Sequence, residues 1–157
     1  MRIIGIDPGT GILGFGVIDI DAKGAISLVD AGVIRTPVKQ ADSERLVTIY
    51  DELHELIKAT KPTVMSVEKL FFAKNVTTAM SVSQARGVVL LCGKQHQLDL
   101  YEYTPMQIKL ALTGYGKADK KQMQEMVRLL LKLKETPQPD DAADALAAAI
   151  CCTTGIR

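Results

Sequence analysis

Carboxylates stand at three places where folding can bring them together. Asp7 closes an apolar run, Arg2-Ile3-Ile4-Gly5-Ile6-Asp7, and the turn Pro8-Gly9-Thr10-Gly11 follows at once. Glu68 closes a second short run, Thr63-Val64-Met65-Ser66-Val67-Glu68, with the same layout. Asp141 and Asp144 are three apart in an alanine-rich segment, so on a helix they share a face. Both are expected in the first turn of that helix, which favours anions. Capping alone asks only for Asp140 or Asp141, whereas Asp144 sits among Ala142, Ala143, Ala145 and Leu146, poor company for a solvated acid. A carboxylate at a strand end beside a glycine turn suits a metal ion, because Gly9 and Gly11 leave no side chain in a ligand's way. Asp7 equally well begins the turn, or pairs with Arg45, as Glu68 pairs with Lys69; these accounts stay open on the residues alone. His54 and His96 are the only histidines, and Cys92, Cys151 and Cys152 have neither zinc nor disulfide spacing. Any bound metal is therefore expected to be a hard cation on oxygen.

The elements that must carry these acids follow from hydrophobic periodicity. The run ending at Asp7 is apolar enough for a strand covered on both faces. Residues 12–20 and 25–34 read as two further strands joined at Asp21-Ala22-Lys23-Gly24, which makes an antiparallel meander. Gly14 and Gly16 inside the second strand imply either a bulge or twist, or close passage of a substrate backbone. Residues 43–60 carry Leu46, Ile49, Tyr50, Leu53, Leu56 and Ile57 at helical spacing, and Lys61-Pro62 ends that helix. After the strand ending at Glu68, residues 76–96 read as a long helix capped by Asn75, with Val76, Met80, Val88, Val89, Leu91 and Cys92 as apolar stripes for the core or a dimer seam and with Ala79, Ser83, Ala85 and Gly87 small enough to allow close packing. Residues 98–103 alternate as a fifth strand. Thr104-Pro105-Met106-Gln107 and Asp119-Lys120-Lys121-Gln122 each open a helix with a capping box, one running to about 113 and the other to about 133. The last helix starts after Pro137-Gln138-Pro139.

At 157 residues and 47% hydrophobic, the chain fits one globular domain, 1–157. Asp7 and the glycine turn interrupt the N-terminal apolar run, so no signal peptide is expected, and no long uncharged apolar stretch suggests a membrane partner. Reduced, mostly buried thiols and a cytoplasmic location are the matching expectation. The net charge of +1 conceals a polar distribution: residues 105–134 hold seven basic against two acidic side chains, and residues 135–157 hold one against four. A basic stretch beside an acidic tail suits a polyanion held near metal-binding carboxylates, although a solvated helix face accounts for the charge as simply.

Read together, the motifs resemble the RuvC-type Holliday junction resolvases of the ribonuclease H-like superfamily. Gly5-Ile6-Asp7-Pro8-Gly9-Thr10 and Gly14-Phe15-Gly16-Val17 carry the opening of the likeness. Val67-Glu68-Lys69-Leu70-Phe71-Phe72-Ala73-Lys74-Asn75, Gln84-Ala85-Arg86-Gly87, Met106-Gln107-Ile108-Lys109 and Gly116-Lys117-Ala118-Asp119-Lys120 carry its middle. Val127-Arg128-Leu129-Leu130 and Ala142-Ala143-Asp144-Ala145-Leu146-Ala147 carry its end. Sugar kinases and actin-like ATPases share the opening alone. The resemblance implies an α/β fold with a five-stranded mixed sheet, strands 1–3 as the antiparallel meander and then strands 4 and 5, flanked by helices. It implies Asp7, Glu68, Asp141 and Asp144 as catalytic carboxylates that hold metal, two Mg2+ per site with Mn2+ as substitute, and Lys120 at the scissile phosphate. Asp140, beside Asp141, competes for the same assignment. It further implies DNA contact by Phe71, Phe72, Lys74, Lys109, Lys117, Lys120 and Lys121, with Phe71 or Phe72 as the wedge at the crossover. The implied partners are a four-way DNA junction, a second copy in a homodimer, and a branch-migration helicase complex, and the implied activity is paired symmetric nicking in recombination and repair. Alternatives are another ribonuclease H-like nuclease, such as one processing ribosomal RNA precursors, and a non-catalytic module binding branched DNA.

Overall fold

Strand geometry divides the first strand between two cores. In the computed structural model, which describes residues 1–69 and 76–155 apart from the side chain of Thr77, β1 spans Arg2–Asp7. Its Ile4 and Ile6 enter one apolar cluster and its Ile3 enters another on the opposite face, as alternation by two requires. Gly5 and Asp7 fall on the Ile3 face. β2 (Ile12–Ile20) runs antiparallel to β1, and β3 (Ile26–Arg35) antiparallel to β2 with a register shift at Val17/Ile18. β4 (Val64–Glu68) lies parallel to β1, and β5 (Asp99–Tyr103) parallel to β4. The order β3-β2-β1-β4-β5 is the expected five-stranded mixed sheet, with β1 at its centre.

Helices cover both faces. α1 (Asp42–Thr60) buries Ile49, Leu53 and Ile57 against the Ile4 face and ends where Lys61 turns left-handed. α2 (Val76–Gln95) joins it there. The expected stripes divide: Val89 and Cys92 turn inward with the small Ala79 and Ala85, while Val76, Met80 and Leu91 are exposed and do not serve the core. Small residues face the core because α2 packs close to the sheet; the added Cβ at Gly93 would lie 2.8 Å from the sulfur of Met65.

α3 (Pro105–Thr113), α4 (Lys120–Leu130) and α5 (Asp140–Gly155) cover the other face. Both expected capping boxes form, Thr104 with Gln107 and Asp119 with Gln122. α4 stops three residues short of the expected 133, with Leu131 as its cap. α5 is nearly all small residues and lies directly on the sheet. Gly5, Gly14 and Gly16 make that possible: a Cβ at Gly14 would overlap the Asp141 carbonyl, and one at Gly16 would lie 2.6 Å from Leu146. The backbone that passes close to Gly14 and Gly16 is thus α5, not a substrate. Ser66 Oγ donates to the Ala148 carbonyl at 2.7 Å and fixes the same packing from β4.

This arrangement gives a stability test. In Gly5→Ala the new methyl would overlap the Ala145 carbonyl oxygen and lie 2.7 Å from Ala149 N, both main-chain atoms that cannot rotate away. The expected cost is about 2 kcal/mol or more, as for overpacking against backbone, read as a lower midpoint in urea. Gly11→Ala, where nothing lies within 4 Å, is the matched control and should stay close to wild type.

Candidate active site

Register brings the first two acids together. Ile6 pairs with Val67 across the parallel β1–β4 ladder, so Asp7 and Glu68, each one residue further on, stand side by side at the same end of the sheet. Both project to the α5 face. The turn after Asp7 is tied down: Thr36 Oγ1 donates to the Thr10 carbonyl at 2.5 Å, and the Thr10 and Ser81 hydroxyls are 2.6 Å apart. Asp144 arrives from the second turn of α5 and not from the first as expected, because the helix already begins at Asp140. Asp7, Glu68 and Asp144 line one cavity of about 270 Å3 together with Lys109, Lys120 and Met123.

The charges inside are uneven. Burial, then Glu68, Asp144 and Asp141 in that order, push Asp7 up to about 8, opposed by Lys120. Burial and then Asp144 push Glu68 up to about 7, opposed by Lys109. Asp144 is also raised by burial, against the pull of Lys120. These carboxylates are thus short of positive charge. A pH dependence follows. A folded-state pKa above the ordinary carboxylate value means that folding favours the protonated form; stability is full below about pH 4 and is lost as pH rises through about 7 and 8. Metal-free protein should unfold at lower urea at pH 8 than at pH 5.5, and Asp7→Asn should flatten the difference.

Lys120 forms ion pairs with two acids of α5. Its Nζ lies 3.0 Å from Asp140 Oδ2 and 3.6 Å from Asp144 Oδ2. Asp140, however, is held well below the usual carboxylate range by its bond to Lys120, and it does not line the cavity. Asp141 sits in the first turn of α5, close enough to raise Asp7. The alternative pairings are not formed: Arg45 donates to the Val38 carbonyl, and among the described residues no ion pair joins Lys69 to Glu68.

The remaining expected contacts divide. Lys109 reaches the cavity. Lys117 is exposed on the α3–α4 connection, and Lys121 lines a separate groove with Tyr115 and Met126. Phe71, Phe72 and Lys74, and Asn75 as a cap, lie outside the described residues. Two cations beside the acids were not among the expected site residues. Lys69 and Arg86 line a second space of about 190 Å3 that opens on Asp7 and Glu68. Arg86 is paired with Glu102, and its Nε is buried with no partner. Only the Gln84-Ala85-Arg86-Gly87 motif marks Arg86 in the sequence, and nothing there ties it to Glu68.

The donor set fits hard divalent cations. All its ligands are carboxylate oxygens, no thiol or imidazole lines the cavity, and oxygen ligands are what Mg2+ takes. Among the described residues no three acids close on a single point; they ring a cavity instead. The three cysteines are free and buried, and among the described residues no helix is long and apolar enough to cross a membrane.

Comparison with known proteins gives a consistent result. The family model for crossover junction endodeoxyribonuclease RuvC matches residues 3–152. The chain is 54% identical over 153 residues to the crossover junction endodeoxyribonuclease RuvC of Fusobacterium nucleatum, covering 98% of this chain and 79% of that one. It is 55% identical over 152 residues to the same protein of Roseiflexus sp., covering 97% and 90%. Among solved structures it is similar to Thermus thermophilus RuvC, with a TM-score of 0.91 at 36% identity, covering 99% of this chain and 95% of the other. It is similar as well to T. thermophilus RuvC in complex with Holliday junction substrate, with a TM-score of 0.89 at 33% identity and the same coverage of each. The yeast mitochondrial Holliday junction resolvase, at 12% identity and a TM-score of 0.71 over 96% of this chain and 77% of the other, shares the fold alone.

Proposed function

Because this chain belongs to the crossover junction endodeoxyribonuclease RuvC family, we propose that it is a nuclease that resolves four-way DNA junctions by hydrolysing phosphodiester bonds. The observation that carries this reading is the meeting of Asp7, Glu68 and Asp144 in one cavity, drawn from three elements far apart in the chain.

Asp7, Glu68, Asp141 and Asp144 are the residues that would hold two Mg2+ ions, with Mn2+ as substitute; such ions, when bound, supply an activated water and relieve charge on the leaving oxygen. The protein's own part is placement and charge. β1 is the central strand, covered on both faces, so it holds Asp7 rigidly in the middle of the acids. Burial and mutual repulsion raise Asp7, Glu68 and Asp144, and that repulsion is what divalent cations would relieve. Lys120 carries a fixed positive charge at the rim, suited to a phosphate oxygen that gains charge during cleavage. Lys109, Lys117 and Lys121, on or near the same helices, are suited to phosphates along the arms.

A four-way junction has two-fold character, and paired nicks call for two sites in a symmetric dimer. The exposed Val76, Met80 and Leu91 on α2 supply apolar surface for such a contact. Family likeness assigns base contact to Phe71 or Phe72, phosphate contact to Lys74, a branch-migration helicase complex as partner, and a cytoplasmic setting.

The test is cleavage of a labelled four-way junction, a linear duplex of the same sequence and a structured RNA, each with Mg2+ and with chelator. The reading predicts symmetric nicks in the junction alone, and only with Mg2+. Preferential cleavage of the RNA would move the chain to another ribonuclease H-like activity, and binding without cleavage would make it a branched-DNA-binding module.

A further inference from the structure

Lys120 occupies an unfavourable place for a cation. It is the first residue of α4, where the helix presents its positive end. Its side chain is more than half exposed, and a free lysine stem there would sample many rotamers. Yet its ammonium is aimed at the rim of the carboxylate cavity. Asp140 accounts for this. Its Oδ2 takes Lys120 Nζ at 3.0 Å, nearer than Asp144 at 3.6 Å. Its Oδ1 accepts from Gln124 Nε2 at 2.9 Å. Gln124 is four residues beyond Lys120 on α4, so the two reach the same carboxylate from adjacent positions on one helix face. Each oxygen of Asp140 thus has its own partner from α4, and the carboxylate is oriented rather than merely nearby. An exposed ion pair adds little to stability, so the consequence lies in placement.

Resting on the reading of Lys120 given above, we propose that Asp140 and Gln124 are positioning residues: together they cradle the Lys120 ammonium at the rim of the cavity and keep it from settling on Asp144. Asp140 is therefore not a spare copy of Asp141. Its anion gives Lys120 a partner of its own, so Asp144 remains available to a divalent cation without Lys120 swinging out to solvent.

Two readouts test this, one independent of catalysis. In the first, Mn2+ is titrated calorimetrically into wild type, Asp140→Asn, Lys120→Met and the double variant. Lys120→Met should tighten Mn2+ binding, since it removes a competing cation. Asp140→Asn should weaken it by about ten-fold in wild type and by about three-fold or less on the Lys120→Met background, the remainder being the lost charge itself. Equal weakening on both backgrounds would overturn the proposal, because Asp140 would then act through its own field alone. In the second readout, Gln124→Leu, which changes no charge, should slow single-turnover nicking by about five-fold with junction affinity unchanged, and Asp140→Glu should restore most of the Asp140→Asn loss. Wild-type nicking by Gln124→Leu would contradict the cradle. Wild-type nicking by Lys120→Met would instead refute the role given to Lys120, and the Mn2+ cycle would still judge the cradle. Thermal unfolding of each variant confirms that it is folded.

Discussion

Asp7→Asn should reduce junction nicking by about a thousand-fold or more, the scale of losing a central electrostatic group, while junction affinity stays within about two-fold. The substitution keeps shape and volume and removes one charge from the group with the most crowded surroundings. Glu68 stands beside Asp7 by strand register, and Asp141 and Asp144 act on it from α5. The same substitution should stabilise the metal-free protein at pH 8. An amide carries none of the charge that burial and three neighbouring acids oppose, so the variant should unfold at higher urea than wild type there, and by a clearly smaller margin at pH 5.5. Gain of stability with loss of activity would mark Asp7 as a residue kept for function. Loss of junction binding together with lower stability would mean that it only shapes the turn at Pro8-Gly9.

Lys120→Ala should slow cleavage by about a hundred-fold, as expected for a charged group acting on the reacting phosphate, and Lys134→Ala by less than about two-fold. Both remove one positive charge from the basic segment, and both side chains are exposed. They differ in position: Lys120 lies within 4 Å of Asp140 and Asp144, whereas no ion pair involving Lys134 is found among the described residues. Single-turnover nicking at saturating junction separates chemistry from binding. Equal losses for the two variants would reduce the basic stretch to general attraction for DNA, and the loss would then fade as salt is raised.

The residues that could be read from sequence are those whose surroundings are local. Ile3, Ile4 and Ile6 mark a buried strand by their own apolarity, Thr104 and Asp119 announce their helices through capping boxes, and Asp144 stands out among alanines. What could not be read depends on how elements meet. The adjacency of Asp7 and Glu68 exists only through the pairing of Ile6 with Val67, which no local pattern states. Gly14 and Gly16 signalled a close approach correctly, but the approaching backbone belongs to α5, more than a hundred residues later. On α2 the small Ala79 and Ala85 could be read as allowing close packing, and they do face the sheet; which apolar side chains join them, Val89 and Cys92 rather than Met80 and Leu91, depends on how the helix meets the sheet. Asp140 looked like a duplicate of Asp141 until Lys120 and Gln124 were found on its two oxygens.

The central claim is that acids from β1, β4 and α5 form one pocket for divalent cations. Thermal unfolding at pH 8 with increasing Mg2+ tests it most directly, since a ligand that binds only the folded state raises the midpoint with the logarithm of its concentration over its dissociation constant. Wild type should gain several degrees, and Asp7→Asn, Glu68→Gln and Asp144→Asn should each gain little or nothing. A wild-type midpoint indifferent to Mg2+, or one that rises equally in the three variants, would contradict the account.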